Sequence, residues 1–209
     1  MDSNVLKRNE LLAQTVMKGL ESRNMHAYYA ASKEEALSLA LSLIPEGSSI
    51  SMGGCMSARE IGLVDAVQKG PYQFIDRYQF QVQEEGEKAG HFADVFLSSA
   101  NAMTRDGMMV NIDGHSNRVS AIANGPKKLI VIVGMNKICA DLDSAMKRAR
   151  NVAATTNVQR FGLSTPCSKT GACFDCLQPD TICCQILITR YSRHKDRIHV
   201  ILVNDTLGF

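Results

Sequence analysis

Apolar residues recur at helical spacing from the start of the chain. Val5, Leu12, Val16 and Leu20, widened by Leu11 and Met17, predict an amphipathic helix over residues 3–23 with Asn24 as its stop. From His26 the period changes, and short apolar runs alternate with helical stripes. MHAYYA predicts a first strand, and Ser32 opens a helix with Glu35 at the capping-box position. SSISM (48–52) predicts a second strand, followed by Gly53-Gly54 and a helix from about Ser57 to Val67. YQFID (72–76) and ADVFLSSA (93–100) predict two further strands, with polar helix or loop between them. MMVNID (108–113) is joined to the latter by the turn at Arg105, Asp106 and Gly107, as an antiparallel hairpin or a compact strand–loop–strand unit.

A short helix over SNRVSAIA, capped by Ser116 or Asn117, precedes the longest buried-strand pattern, KKLIVIVG (127–134). A helix over about 141–153 follows, whose basic residues Arg148 and Arg150 read as a solvated face. QILITRY (185–191) and RIHVILVN (197–204), separated by SRHKD, predict a closing hairpin. Strands alternating with helices define an α/β class: three layers, a largely parallel central sheet, and the C-terminal hairpin as antiparallel edge strands. No repeat or linker divides the chain, so residues 1–24 are expected as a helix packed on one domain spanning 25–209.

Composition narrows the functional classes. The 23 Lys and Arg are balanced by 21 Asp and Glu, and Trp is absent, which argues against a nucleic-acid face or a base-stacking platform. No apolar run approaches the roughly 20 residues of a membrane span. The polar start, MDSNVLKRNELLAQ, carries no signal-peptide pattern, so a cytoplasmic protein is expected. In that reducing compartment, cysteines read as metal or redox chemistry before disulfides.

Five of the seven cysteines fall in TPCSKTGACFDCLQPDTICC (165–184). Cys167, Cys173, Cys176 and Cys183 are spaced so that a chain folding back on itself aims four soft thiolates at one point. The spacing matches no stock zinc-ribbon or ferredoxin run, and it leaves open a metal site, a redox dithiol and ordinary structural cysteines.

Three loops are placed for ligand chemistry, since open α/β sheets bind ligands beyond the carboxyl ends of their strands. Gly53 and Gly54 end a strand ahead of a helix, a geometry suited to an anion or simply to a tight turn. Asn111, Asp113, Asn117 and Arg118 cluster after the next motif, with Asp113 the candidate acid–base group; the alternative is a turn and helix cap. Gly134, Asn136 and Lys137 follow the central strand. Arg118 and Lys137 are the residues expected to hold a ligand carboxylate.

GGCMSAREIGL, VNIDGHSNRVSAIANGPKKLIVIVGMNKI and NVQRFGLSTPCSKTGACFDCLQPDTIC together closely resemble the LUD-domain family, named for lactate utilization. The match is to stand-alone members with a C-terminal cysteine motif and spans residues 10–207 approximately. The resemblance implies a fold similar to the ribose-5-phosphate isomerase, CoA-transferase and folate cyclo-ligase superfamily. It also implies association with oxidation of lactate or a related small hydroxy acid, alongside other lactate-oxidation subunits. It tilts the cysteine group towards a [4Fe-4S] iron–sulfur cluster, although the chain lacks the ferredoxin-like run of the larger family member.

The expected protein thus binds a small anionic ligand and carries a four-cysteine cluster. The alternative is a non-redox binding or assembly subunit with structural zinc or no metal. A CoA- or phosphosugar-handling enzyme stands further back, with Glu60 the nearest candidate acyl acceptor. The amphipathic N-terminal helix and the apolar edge hairpin offer surfaces for a homodimer.

Overall fold

The structure, a computed structural model, describes residues 2–209. Helix α1 (Ser3–Ser22) begins under the Asp2 side chain, which accepts from the Asn4 amide. Its buried stripe is Asn9, Ala13, Val16 and Leu20, while Val5 and Leu11 face outward. Asn24 ends the turn at a left-handed φ of 59°. Strand β1 (His26–Ala30) leads to α2 (Lys33–Ser42), where Ser32 accepts from the Glu35 amide and the Glu35 carboxylate reaches back to the Ala31 amide.

Strand β2 (Ser49–Met52) feeds two helices where one was expected: α3 (Met56–Glu60) and α4 (Leu63–Lys69). Gly62, at φ 78°, breaks the helix between them, a backbone angle glycine adopts without a Cβ clash. Strand β3 (Gln73–Phe74), α5 (Gln83–His91) and β4 (Val95–Ser98) follow. Next come β5 (Ala102–Thr104), β6 (Met109–Asp113), α6 (Asn117–Asn124), β7 (Lys128–Gly134) and β8 (Ile138–Cys139). Helix α7 (Leu142–Arg148) starts at an Asp141–Ser144 capping box and runs through a π-helical stretch, Ala149–Ala154, into the short α8 (Thr155–Asn157). Helix α9 (Pro166–Thr170), β9 (Gln185–Thr189) and β10 (Ile198–Val203) complete the chain.

The fold is α/β with a largely parallel central sheet. Six strands order as β1-β10-β7-β4-β2-β3, every pairing parallel. Side chains alternate across it as the pleat requires. Ile130, Ile132, Ile201 and Val203 enter the core beneath α2, α3 and α4; Leu129, Val131, Val200 and Leu202 enter the opposite core with Ala13, Val16 and Leu20 of α1. Four further strands form a second sheet, β8-β5-β6-β9.

Two expected pairings are corrected. The closing hairpin does not form. β10 is buried at every position and lies between β1 and β7, whereas β9 pairs antiparallel with β6 in the second sheet. A run apolar on both faces is stabilised only where both faces are covered, which a sheet edge does not offer. The hairpin partner of β6 is β5, and β4 stays in the central sheet.

Candidate functional site

Because the central strands are parallel, the chain leaves β2, β4, β7 and β10 on the same side of the sheet. There a cleft of about 450 Å³ opens, within the range of small-molecule sites. Gly54 to Ser57 come from the turn after β2, Ser99 to Asn101 from the end of β4, Lys137 from the turn after β7, and Gly208 and Phe209 from beyond β10. Asp113, Asn117 and Arg118 close another wall from the β6–α6 junction.

Lys137 sits at the base of this cleft and is 3% exposed. Its Nζ donates to Ser57 Oγ at 3.1 Å and to Ser99 Oγ at 3.0 Å, and the two hydroxyls lie 3.3 Å apart. Burial lowers its pKa to about 8, with Arg148 and Arg118 adding repulsion against the opposing influence of Cys55 and Glu60. An ammonium without a carboxylate partner is costly to bury, which is the physical source of that shift. Cys55, on the turn after β2 that also carries Ser57, is buried, and burial pushes its thiol up.

Arg118 is largely buried, with 19% of its side chain exposed. Its guanidinium donates to Asn101 Oδ1 at 3.0 Å and to the Ile112 carbonyl, and its Nε lies 3.8 Å from Asp113 Oδ2. Burial lowers its pKa, against the pull of the Asp113 carboxylate. Asp113 accepts from the amides of His115, Arg118 and Val119 at 3.0–3.1 Å. Ser116 holds the N-cap position of α6 without a side-chain bond, so the Asp113 carboxylate serves the first turn, joined by Asn117 Oδ1, which accepts from the Arg118 amide at 2.8 Å. Asn117 Nδ2 donates to Glu87 Oε1 at 2.8 Å, beside the Arg77–Glu87 ion pair at 3.0 Å.

The remaining expected site residues lie behind the cleft. A Cβ on Gly53 would stand 3.3 Å from Arg118 Cβ, so Gly53 lets the two segments close up; it lines a smaller adjoining cleft of about 180 Å³. Gly134 packs against the backbone of Asp205 and Leu207, and Asn136 Oδ1 accepts from the Leu207 amide at 3.2 Å. Asn111 is buried, with Nδ2 donating to the Ser99 carbonyl at 2.8 Å and Oδ1 unpartnered. These four residues position the wall.

Ser57, Ser99, Arg160 and Arg77 were absent from the sequence-level candidates. Lone serines and arginines carry no spacing signal, and topology alone assembles them. Arg148, expected on a solvated face, is half-buried and ties two cleft loops together by donating to the carbonyls of Asn136 and Asn101.

The cysteine segment corrects the metal expectation. Among the described residues no group of three or more His, Cys, Asp or Glu side chains is arranged to hold a metal ion. Cys167 Sγ contacts Thr165 Oγ1 at 3.3 Å, Cys173 Sγ accepts from Arg150 at 3.7 Å, and Cys176 Sγ lies 3.9 Å from Thr181 Oγ1. Cys183 packs against the core of the second sheet, and burial first, then the neighbouring thiols, push its thiol up to about 11. All seven cysteines are free. The expected iron–sulfur cluster, and the redox role built on it, are therefore withdrawn in favour of a non-redox reading.

The chain is an α/β protein whose parallel sheet opens its cleft at the strand carboxyl ends. It belongs to the LUD domain family, whose profile matches residues 13–203. The crystal structure of a DUF162 family protein from Deinococcus radiodurans has a similar fold, with a TM-score of 0.55 at 14% identity, covering 93% of this chain and 98% of that one. Ribose 5 phosphate isomerase A from Neisseria gonorrhoeae aligns at a TM-score of 0.35 and 14% identity over 63% of this chain and 66% of its own, too slight a likeness to assign a superfamily. No curated protein matches the sequence. Among the described residues, no helix is long and apolar enough to cross a membrane.

Proposed function

We propose that this LUD-family protein binds a small anionic ligand in the cleft beyond β2, β4, β7 and β10, in a role that needs no metal centre. The reading rests on the Lys137 ammonium, buried at the cleft base with two hydroxyls as its hydrogen-bond partners. Charge around the cleft supports it. The lining side chains Arg77, Arg118, Lys137 and Arg160 face two carboxylates, Glu87 and Asp113, and both of these are already engaged by arginine. A low-dielectric wall with excess positive charge concentrates anions of matching size.

Lys137 and Arg160 are the primary ligand contacts in this reading. Arg118 adds charge and holds the wall in shape, and Asp113 is retained as the residue that fixes Arg118. Calorimetric titration with inorganic phosphate and with short mono- and dicarboxylates tests it. Binding by wild type that falls at least about tenfold in Lys137→Met is expected, the loss of one charge-assisted hydrogen bond. Heat-free titrations across the whole panel would contradict the reading.

A further inference from the structure

We infer that Ser99, Lys137 and Ser57 form a serine–lysine acyl-transfer site, with Ser99 as nucleophile, acting on an ester or thioester that carries an anionic group. The inference rests on the cleft being the ligand site, and it adds a reaction to that site. The three side chains are mutually within 3.3 Å and all line the cleft. A serine hydroxyl is a weak nucleophile until an adjacent base accepts its proton, and a buried lysine supplies that base from its deprotonated fraction.

Exposure chooses between the two hydroxyls. Ser57 is 0% exposed, and Gly208 sits over it, so that a Cβ there would stand 3.1 Å from Ser57 Oγ. Ser99 is 7% exposed and stands at the end of β4, where its carbonyl is held by Asn111. Ser57 Oγ therefore positions the lysine nitrogen beneath the Ser99 oxygen. Arg160 and Arg118 in the same cleft select acyl groups bearing a carboxylate or phosphate.

The step balances without an oxidant or reductant. Ser99 Oγ gives its proton to the neutral Lys137 amine and bonds to the acyl carbon. The bond from that carbon to the alcohol oxygen or thiol sulfur breaks, and the Lys137 ammonium returns the proton to the leaving group. Water then attacks the serine ester, with Lys137 taking the water proton and handing it to Ser99 Oγ as the carboxylic acid leaves. Burial of Lys137 is consistent with this use, since its pKa of about 8 leaves part of the population neutral at pH 7.

The test is covalent labelling of the full chain with an alkyl fluorophosphonate, read by intact mass and peptide mapping. A single adduct on Ser99 is expected, forming faster as pH rises through about 8. Lys137→Met should slow it by about 100-fold or more, the usual worth of a positioned base. No adduct on the wild-type protein, an adduct on another residue, or an unchanged rate in Lys137→Met overturns the inference. Mapping on wild type decides the question even where a variant fails to fold. Phosphate binding without a Ser99 adduct overturns acyl transfer and leaves the binding site standing; a Ser99 adduct without anion binding does the reverse.

Discussion

Lys137 Nζ donates to Ser99 Oγ across 3.0 Å, although 38 positions separate the two residues in sequence. The contact exists because β4 and β7 are parallel neighbours whose carboxyl ends meet at one edge. It links a strand-pairing choice in the core to the electrostatics of the cleft.

The buried ammonium makes stability depend on pH. Lys137 has its pKa lowered to about 8 in the folded chain from an ordinary 10.5. Between these values the unfolded chain binds a proton that the folded chain has released, so stability rises with pH across that window. The rise has an upper size of about 3 kcal/mol. Cys55 and Cys183 work the other way above their ordinary thiol range, because burial keeps them protonated in the folded state. Subtracting Lys137→Met from wild type in urea unfolding removes their contribution. The difference should change by about 2–3 kcal/mol between pH 7 and pH 10.5; a flat difference contradicts the burial of this charge.

Asp113→Asn tests the cap. The carboxylate accepts three amides at the start of α6 and faces the largely buried Arg118. Removing its charge leaves the guanidinium without its carboxylate, at a cost of about 3 kcal/mol. Chemical denaturation should show that loss together with weaker anion binding. A loss below about 0.5 kcal/mol would place Asp113 outside the scaffold.

Burial along the last strand separates the observed topology from the expected hairpin. Ile201 is 0% exposed in the middle of the central sheet, and Ile188 on β9 is 39% exposed. Ile201→Ala should cost about 2–5 kcal/mol, and Ile188→Ala less than about 1 kcal/mol. Similar costs at the two positions would favour the hairpin.

That strand shows what the sequence conveys and where it stops. RIHVILVN is apolar without alternation, the signature of a strand covered on both faces, and KKLIVIVG was read correctly on that ground. Proximity to QILITRY across a short polar segment suggested a hairpin instead, and local spacing cannot reveal that β9 leaves for another sheet. The site shows the same division. Arg118 and Lys137 were legible as charges following strands. Ser57 and Ser99 were not, because their meaning arises only when β2, β4 and β7 lie side by side. Asp113 was legible as a polar group at a turn, whereas its acceptance of three amides at the start of α6 emerges only from the folded junction. The cysteine spacing implied convergence on a metal. Cys167, Cys173 and Cys176 do lie near enough to Cys183 to raise its thiol, yet among the described residues no group is arranged to hold a metal ion, and Cys183 packs on a core.

Thiol chemistry should follow these separate environments. Cys184 is exposed, Cys183 is half-buried and held neutral, and Cys55 is buried. Iodoacetamide near neutral pH should modify Cys184 early, and Cys183 and Cys55 only on unfolding. Chelators should leave the Tm unchanged. Stoichiometric iron or zinc in the purified protein, or a chelator-induced fall in Tm, would contradict this account of the segment.

The most direct test of the anion cleft is a two-dimensional amide NMR titration of the full chain with inorganic phosphate. The account predicts saturable shifts at Gly54–Ser57, Ser99–Asn101, Lys137 and Gly208, lost in Lys137→Met. Shifts confined to other surfaces, or none at these positions, would contradict it.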